Sequence, residues 1–244
     1  MGADLSTNDL TGEPIENLIC ALLRELDNIS HVNLFVPPPV PAIQSRLAGA
    51  QPALEIVSRA LQMRNELGLP FWDAVNLACF GAGVGAKLVA KEALFHNGEG
   101  VRRLRLSAAS ITPEALKNLA ALESGLSILV WSSRVETSTG ETAHIPMLDF
   151  HCPQSAPNLE LVTKVLCLLK IGPGFILESG KSYHFYGRKL ITDSERILFL
   201  SRALLLAPIV DRAWIAHQLL EGACGLRISP RQPSGMPPRV VRML

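Results

Sequence analysis

The sequence predicts a mixed α/β (α+β) chain: a helical N-terminal region over 1–100, an α/β core over 101–230 and an extended basic, proline-rich tail over 231–244. Two observations lead there. Apolar residues recur at intervals of three and four before residue 100, and alternate at intervals of two in several short runs after it. Proline and glycine clusters punctuate the runs at turn-like intervals.

The elements follow in order. Ile15, Leu18, Ile19, Leu22, Leu23, Leu26 and Ile29 form one apolar face, so 13–29 reads as a helix. Three consecutive prolines in VNLFVPPPVP make 36–41 an extended linker or rigid arm. Segments 52–67, 70–79 and 84–96 read as further helices, separated at Gly68, Pro70 and the glycines that follow. Val101–Leu106 alternates apolar and basic residues and reads as a strand. Thr112-Pro113-Glu114 starts a helix with a hydroxyl cap, proline in the first turn and an early carboxylate. Strands 127–135 and 143–152 flank Thr139-Gly140-Glu141 as a hairpin. Helix 158–170, strands 175–178 and 182–186, helices 192–206 and 211–220, and a strand at 224–229 complete the core. The tail from Arg227 carries four prolines and no carboxylate, and reads as extended and poorly packed.

Composition narrows the function. The 244 residues are 48% hydrophobic and 18% charged, which excludes a wholly disordered chain. Five cysteines without a CxxC pair exclude a disulfide miniprotein and suggest reduced thiols in a cytoplasmic protein. A net charge of +1 means that nucleic-acid contact has to come from a local basic patch. No apolar run is long enough for a membrane helix, so no membrane partner is expected. The N-terminus lacks the pattern of a secretory signal, and Met1-Gly2 with Ser6 fits a myristoylation pattern only by its shortest features.

Several motifs favour a structural role. Gly81-Ala82-Gly83-Val84-Gly85-Ala86-Lys87 lacks the Gly-Lys-Ser/Thr of a phosphate loop, and the strand and acid of a dinucleotide fingerprint are missing. It reads as a helix–helix joint with close packing. His144, His151 and Cys152 match no standard zinc spacing. No cysteine or histidine stands in a protease context. Trp131 reads as core, and Arg102, Arg103 and Arg105 as a solvated strand face that can also meet phosphates.

One constellation carries chemistry. In Met147-Leu148-Asp149-Phe150-His151-Cys152, strand alternation puts Asp149 and His151 on one face. In Ser179-Gly180-Lys181-Ser182-Tyr183-His184, it puts Ser182 and His184 on one face. A carboxylate and imidazole from one strand, with a hydroxyl and imidazole from another, suit a divalent ion and a phosphate group. Gly180 lets backbone approach a phosphate.

These strings resemble the archaeo-eukaryotic primase superfamily, the primase-polymerases. The family's first motif is Asp-x-Asp or Asp-x-Glu on an apolar strand, and Asp149 matches its first acid. Its second is Ser-x-His, matched by Ser182 and His184. Its third is a single acid before a Leu-Arg-Ile-Pro-like string; Leu226-Arg227-Ile228-Ser229-Pro230 resembles the string, and Asp211 or Glu221 is the acid. The resemblance covers residues 126–230. It implies a primase-polymerase-like core whose catalytic sheet is like an RNA-recognition motif. It also implies a nucleotidyltransferase that takes nucleoside triphosphates with Mn2+ or Mg2+ and initiates or extends a nucleic-acid strand. Asp149, His151 and Asp211 are then the catalytic set, with Asp149 and His151 as metal ligands. Ser182 and His184 hold the triphosphate, and Lys181 and Arg227 are phosphate contacts by charge and position.

His151 departs from the family pattern. Imidazole suits manganese better than magnesium. Losing a unit charge at near contact removes about 4 kcal/mol of ion attraction at an effective dielectric of about 20, unless Asp211, Glu221 or Glu178 compensates. The alternative is therefore a catalytically degenerate module that binds nucleotide or nucleic acid inside a larger complex. A third reading makes the N-terminal helices, the PPPVP arm or the C-terminal tail surfaces for a protein partner.

Overall fold

The structure is a computed structural model that describes residues 9–37, 47, 49–80, 82–95, 101–122, 128–230 and 235–244. The chain forms two compact units, Met1–Pro37 with Arg102–Leu244, and Pro38–Val101. The division differs from the boundary expected at residue 100, because residues 9–37 pack with the core rather than with the helices that follow them.

In the larger unit, helix α1 (Ile15–Glu25) buries Ile15, Leu18, Ile19 and Leu22, the apolar face expected from its spacing. The segment after it is strand β1 (Ile29–Val36), which begins at the last residue of the expected helix and takes in Val36, the first of the expected arm. Val32, Leu34 and Val36 alternate inward, and the prolines begin only where the strand ends. Of the proline arm, residues 38–41 lie outside the described residues.

Strand β1 is central in a five-stranded antiparallel sheet. Strand β2 (Arg102–Ser107) pairs with one side of it and β3 (Val130–Thr137) with the other. Strand β3 carries β4 (Thr142–His144) and β8 (Gly225–Arg227) on its far side. The expected hairpin is the β3–β4 pair, turned at Gly140 with φ +83°. Helix α5 (Pro113–Leu122) begins where its capping signal lies, with the Ala115 N–H donating to Thr112 Oγ1.

The expected strand 143–152 splits between two sheets. Proline cannot donate to a ladder, and at Ile145-Pro146 the chain leaves β4 and enters β5 (Met147–Asp149), an edge strand of a four-stranded sheet. The Pro146 carbonyl accepts from Gly187 N–H, 2.8 Å, at the end of β7 (Tyr183–Gly187). Helix α6 (Ala156–Leu169) connects β5 to β6 (Gly174–Glu178), and β7 lies between them, antiparallel to both. This is a split β-α-β arrangement. Helices α7 (Asp193–Leu204) and α8 (Arg212–Glu221) follow; α7 opens on a capping box from Thr192 and Glu195.

The tail is a second correction. Strand β9 (Arg239–Met243) is the fourth strand of this sheet, with Val240 opposite Leu177 and 1% exposed. A register irregularity in the pairing with β6, between Ile176 and Leu177, lets Val240 turn inward while Arg242 pairs with Glu160, 2.6 Å away. The Gly12 N–H donates to Val240 O at 2.7 Å, and Val240 N–H to Glu13 O at 2.9 Å. Trp131, Phe150, Phe175, Phe185, Tyr183 and Tyr186 fill the core.

The smaller unit holds α2 (Gln51–Leu67), α3 (Phe71–Cys79) and α4 (Ala86–Phe95), packed through Ala53, Ile56, Val57, Ala74, Val75 and Val89. Gly85, at φ +96°, meets Ala53 so closely that a Cβ there would stand 2.7 Å from Ala53 N. Of the glycine cluster, Gly85 thus serves close helix packing, whereas a Cβ at Gly83 would meet nothing within 4 Å.

Candidate functional site

The site grows from the end of β5. Asp149 and His184 are register partners across β5 and β7, so their side chains share a sheet face. His184 Nε2 stands 3.6 Å from Asp149 Oδ1, an ion pair when the imidazole is protonated. The Asp149 side chain is 24% exposed and that of His184 7%, so the carboxylate is the part that solvent reaches.

A neighbouring segment closes the end of the strand. The Asp211 N–H donates to Asp149 O at 3.0 Å, and the His151 N–H to Ile209 O at 2.8 Å. Of the two acids left open for the third motif, Asp211 is therefore the one beside Asp149. Its carboxylate caps α8, with Oδ1 accepting from Trp214 N–H at 2.9 Å. Glu221 stands at the other end of α8, about 15 Å along the helix axis from Asp211 at 1.5 Å per residue.

His151 is placed differently from Asp149. Strand β5 ends at Asp149, Phe150 makes an isolated bridge to Val210, and His151 is exposed beyond it. Alternation along one strand therefore does not carry from Asp149 to His151.

The Ser179–Ser182 turn joins β6 to β7. The Ser179 N–H donates to Ser182 O at 3.0 Å, and Gly180 takes φ +98°, which favours glycine. Arg227 reaches this turn from β8: its Nη2–H donates to Ser179 O at 2.7 Å, and its Nη1–H to Ser229 O. Ser182 Oγ donates to Phe150 O and accepts from Tyr183 N–H at 2.6 Å, so this hydroxyl stitches β7 to the end of β5. Lys181 is exposed at the tip of the turn.

Two further residues belong here. Gln154 Nε2–H donates to Ser182 O at 3.2 Å. Tyr186 lies two residues beyond His184 on the same face, and its buried hydroxyl has no hydrogen-bond partner among the described residues. Burial pushes its phenol above the ordinary range, with Arg227 pulling down and Asp149 pushing up, so both charges act on it. The signal for Tyr186 in the sequence was its alternation with His184.

Among the described residues, no group of three or more His, Cys, Asp or Glu side chains could hold a metal ion. The donor set around Asp149 does not make a resident cage. It does suit magnesium or manganese arriving with phosphate, since such an ion keeps its waters and takes one or two carboxylates besides phosphate oxygens. His144 lies elsewhere, buried beside Ser133 and Asp193.

Residues 104–237 match the family model described as archaeo-eukaryotic primase 1D-like, which spans every residue of this constellation. The chain belongs to this primase family. No curated protein and no solved structure matches it. The primase-family segment begins within β2, at Leu104, and contains β3 to β8 with the connecting helices; α1, β1 and the α2–α4 unit precede it, and β9 follows it. Also among the described residues, no helix is long and apolar enough to cross a membrane.

Proposed function

We propose that this primase-family chain is a metal-dependent nucleotidyltransferase that binds a nucleoside triphosphate at the β5–β7 seam and joins nucleotides. The observation that carries the reading is the register pairing of Asp149 with His184, 3.6 Å apart, at a partly exposed strand end. In the reaction, a 3′-oxygen bonds to the α-phosphorus, the bond to the β-phosphate bridge breaks, and pyrophosphate leaves as the hydroxyl proton passes to solvent. A divalent cation, Mn2+ or Mg2+, supplies charge neutralisation at the phosphate oxygens when bound.

The chain's own residues divide the rest. Asp149 is the ligand offered to the cation, and Asp211, whose N–H donates to Asp149 O, is the further acid beside it. The His184 imidazole, held beside Asp149, donates to a phosphate oxygen. Arg227, and Lys181 at the turn tip, add positive charge toward the phosphates. Ser182 acts by fixing the turn, because its hydroxyl is engaged with the backbone on both sides. His151 stands exposed outside this set and serves, if at all, as an outer contact.

A second reading is binding without transfer, as a module of a larger complex. The engaged Ser182 hydroxyl, and the engagement of the Asp211 carboxylate as the cap of α8, favour it. The test is incubation of the protein with nucleoside triphosphates and a primed template, with Mg2+ or Mn2+, beside calorimetry with ATP. Extension that Asp149→Ala and His184→Ala both abolish supports transfer. Calorimetric binding without extension supports the module, and neither signal from the wild type defeats both readings.

A further inference from the structure

Strand β7 carries both tyrosines of the chain, Tyr183 and Tyr186, and alternation puts them on opposite faces of the sheet. Both are buried, but their hydroxyls differ. The Tyr183 hydroxyl donates to Ser155 O at 3.0 Å and accepts from the Ser155 N–H at 2.9 Å. The Tyr186 hydroxyl is buried with no hydrogen-bond partner among the described residues. A hydroxyl buried in that way costs stability. Phenylalanine, which fills the same core as Phe150, Phe175 and Phe185, would occupy the volume without that cost.

Register identifies what the hydroxyl can reach. Met147 and Phe175 flank Tyr186 from β5 and β6, and Asp149 and Leu177 flank His184 in the next row of the same face. Asp149 is therefore the diagonal neighbour of Tyr186 across β5 and β7. Such neighbours stand about 7–8 Å apart, within reach of an aromatic side chain. Met147, Phe175 and Leu177 are apolar, so the other polar side chains of these two rows are Asp149 and His184. Arg227, which also acts on the phenol by charge, has its two terminal nitrogens on Ser179 O and Ser229 O. In this structure Asp149 Oδ1 faces His184 Nε2 at 3.6 Å.

We infer that Tyr186 is a positioning residue for Asp149: its hydroxyl donates to the carboxylate once that group turns from His184 to a cation arriving with phosphate. The inference rests on the nucleotidyltransferase reading for the cation and the triphosphate. A carboxylate that ligates a cation is held in orientation by a hydrogen bond from behind. The phenol is the buried donor placed to supply it, and it touches neither cation nor phosphate. The same turn leaves the His184 imidazole to a phosphate oxygen.

The test is carbon-13 magnetic resonance of the full chain labelled at the tyrosine Cζ atoms. Its two signals are assigned with Tyr183→Phe and Tyr186→Phe. ATP with Mg2+ is expected to move the Tyr186 signal and to leave that of Tyr183, whose hydroxyl is already engaged. ATP in chelator should move neither. Tyr186→Phe without ligand should melt at or above the wild-type temperature, because it removes an unpaired buried hydroxyl. In calorimetry the same variant should bind ATP with Mg2+ about tenfold more weakly, the usual loss when a group behind a metal ligand is removed. Loosened packing would lower both quantities together.

If wild type binds ATP with Mg2+ while the Tyr186 signal stays in place, or Tyr186→Phe binds as tightly, the inference is overturned and the nucleotidyltransferase reading stands. It is likewise overturned if ATP in chelator moves the signal as far, since the phenol would then serve the nucleotide directly. A lower melting temperature for Tyr186→Phe would show a partner already present in the free protein, and would overturn it too. If wild type binds ATP with neither Mg2+ nor Mn2+, the reading falls and the inference falls with it.

Discussion

Arg227 holds the carbonyl of Ser179 at 2.7 Å, across from one sheet to the hairpin turn of the other. Its second guanidinium nitrogen holds Ser229 O, so one side chain fixes both its own strand end and the Ser179–Ser182 turn. A charged hydrogen bond of this kind contributes about 1.5–3 kcal/mol. Arg227→Ala should therefore raise amide hydrogen exchange in 179–182 by at least about tenfold, with little change in β9. Arg227→Lys should restore part of the protection, because a lysine supplies one point donor where the guanidinium supplies a fork. Equal exchange in wild type and Arg227→Ala would show that the turn holds itself.

The Asp149–His184 pair predicts non-additive variants. Asp149→Asn and His184→Ala are each expected to weaken ATP·Mg2+ binding by about tenfold, and the double variant by less than the product. Residues in contact couple by about 0.5–3 kcal/mol. Calorimetry on the four proteins measures the coupling, and strict additivity would mean that the two side chains serve separate ligands.

His144 predicts a pH dependence of stability. Its Nδ1 faces Ser133 Oγ at 3.1 Å, and Ser133 Oγ accepts from the Cys224 N–H at 2.8 Å. The other ring nitrogen, Nε2, faces Asp193 Oδ1 at 3.5 Å. Burial, then the nearby Arg196, lower the His144 pKa from 6.5 to about 4, against an opposing pull from Asp193. The folded form resists a proton that the unfolded form takes up, so stability is full above about 6.5 and falls as pH drops toward about 4. Chemical denaturation across that range should show the slope, and His144→Gln should flatten it even where it lowers the overall level.

Strand β9 predicts the importance of the last residues. Val240→Ala should lower stability by on the order of 2 kcal/mol, the worth of a buried valine. The expected fall in melting temperature is about 2–4 °C per kcal/mol. Arg239→Ala, exposed on the same strand, should change it far less. A thermal melt of both variants decides, and equal effects would mean that β9 is held by its backbone alone.

Much of the architecture was legible from residue patterns. Helices from α1 to α8 stand within a few residues of their expected bounds, because each has a periodic face or a punctuating cap such as Thr112-Pro113 or Gly68. The Ser179–His184 string was legible for the same kind of reason: local order alone places Gly180 in a turn and His184 on a strand. Strand β1 was hidden by the prolines that follow it, and β9 by the prolines and arginines before and within it. Both take their strand identity from neighbours, β1 from β2 and β3, β9 from β6 and Glu13.

By itself, then, the order of residues determined which segments coil, which extend, and that an acid and an imidazole each sit on an apolar strand. Whether those strands are adjacent is a long-range matter, decided when Pro146 sends the chain from one sheet into the next and β7 inserts between β5 and β6. The same step put Asp211 beside Asp149, left His151 outside, and brought Arg227 to the Ser179 turn. Side-chain alternation is a property of a single strand, whereas register between strands depends on which apolar faces are buried together, and only the folded chain supplies that.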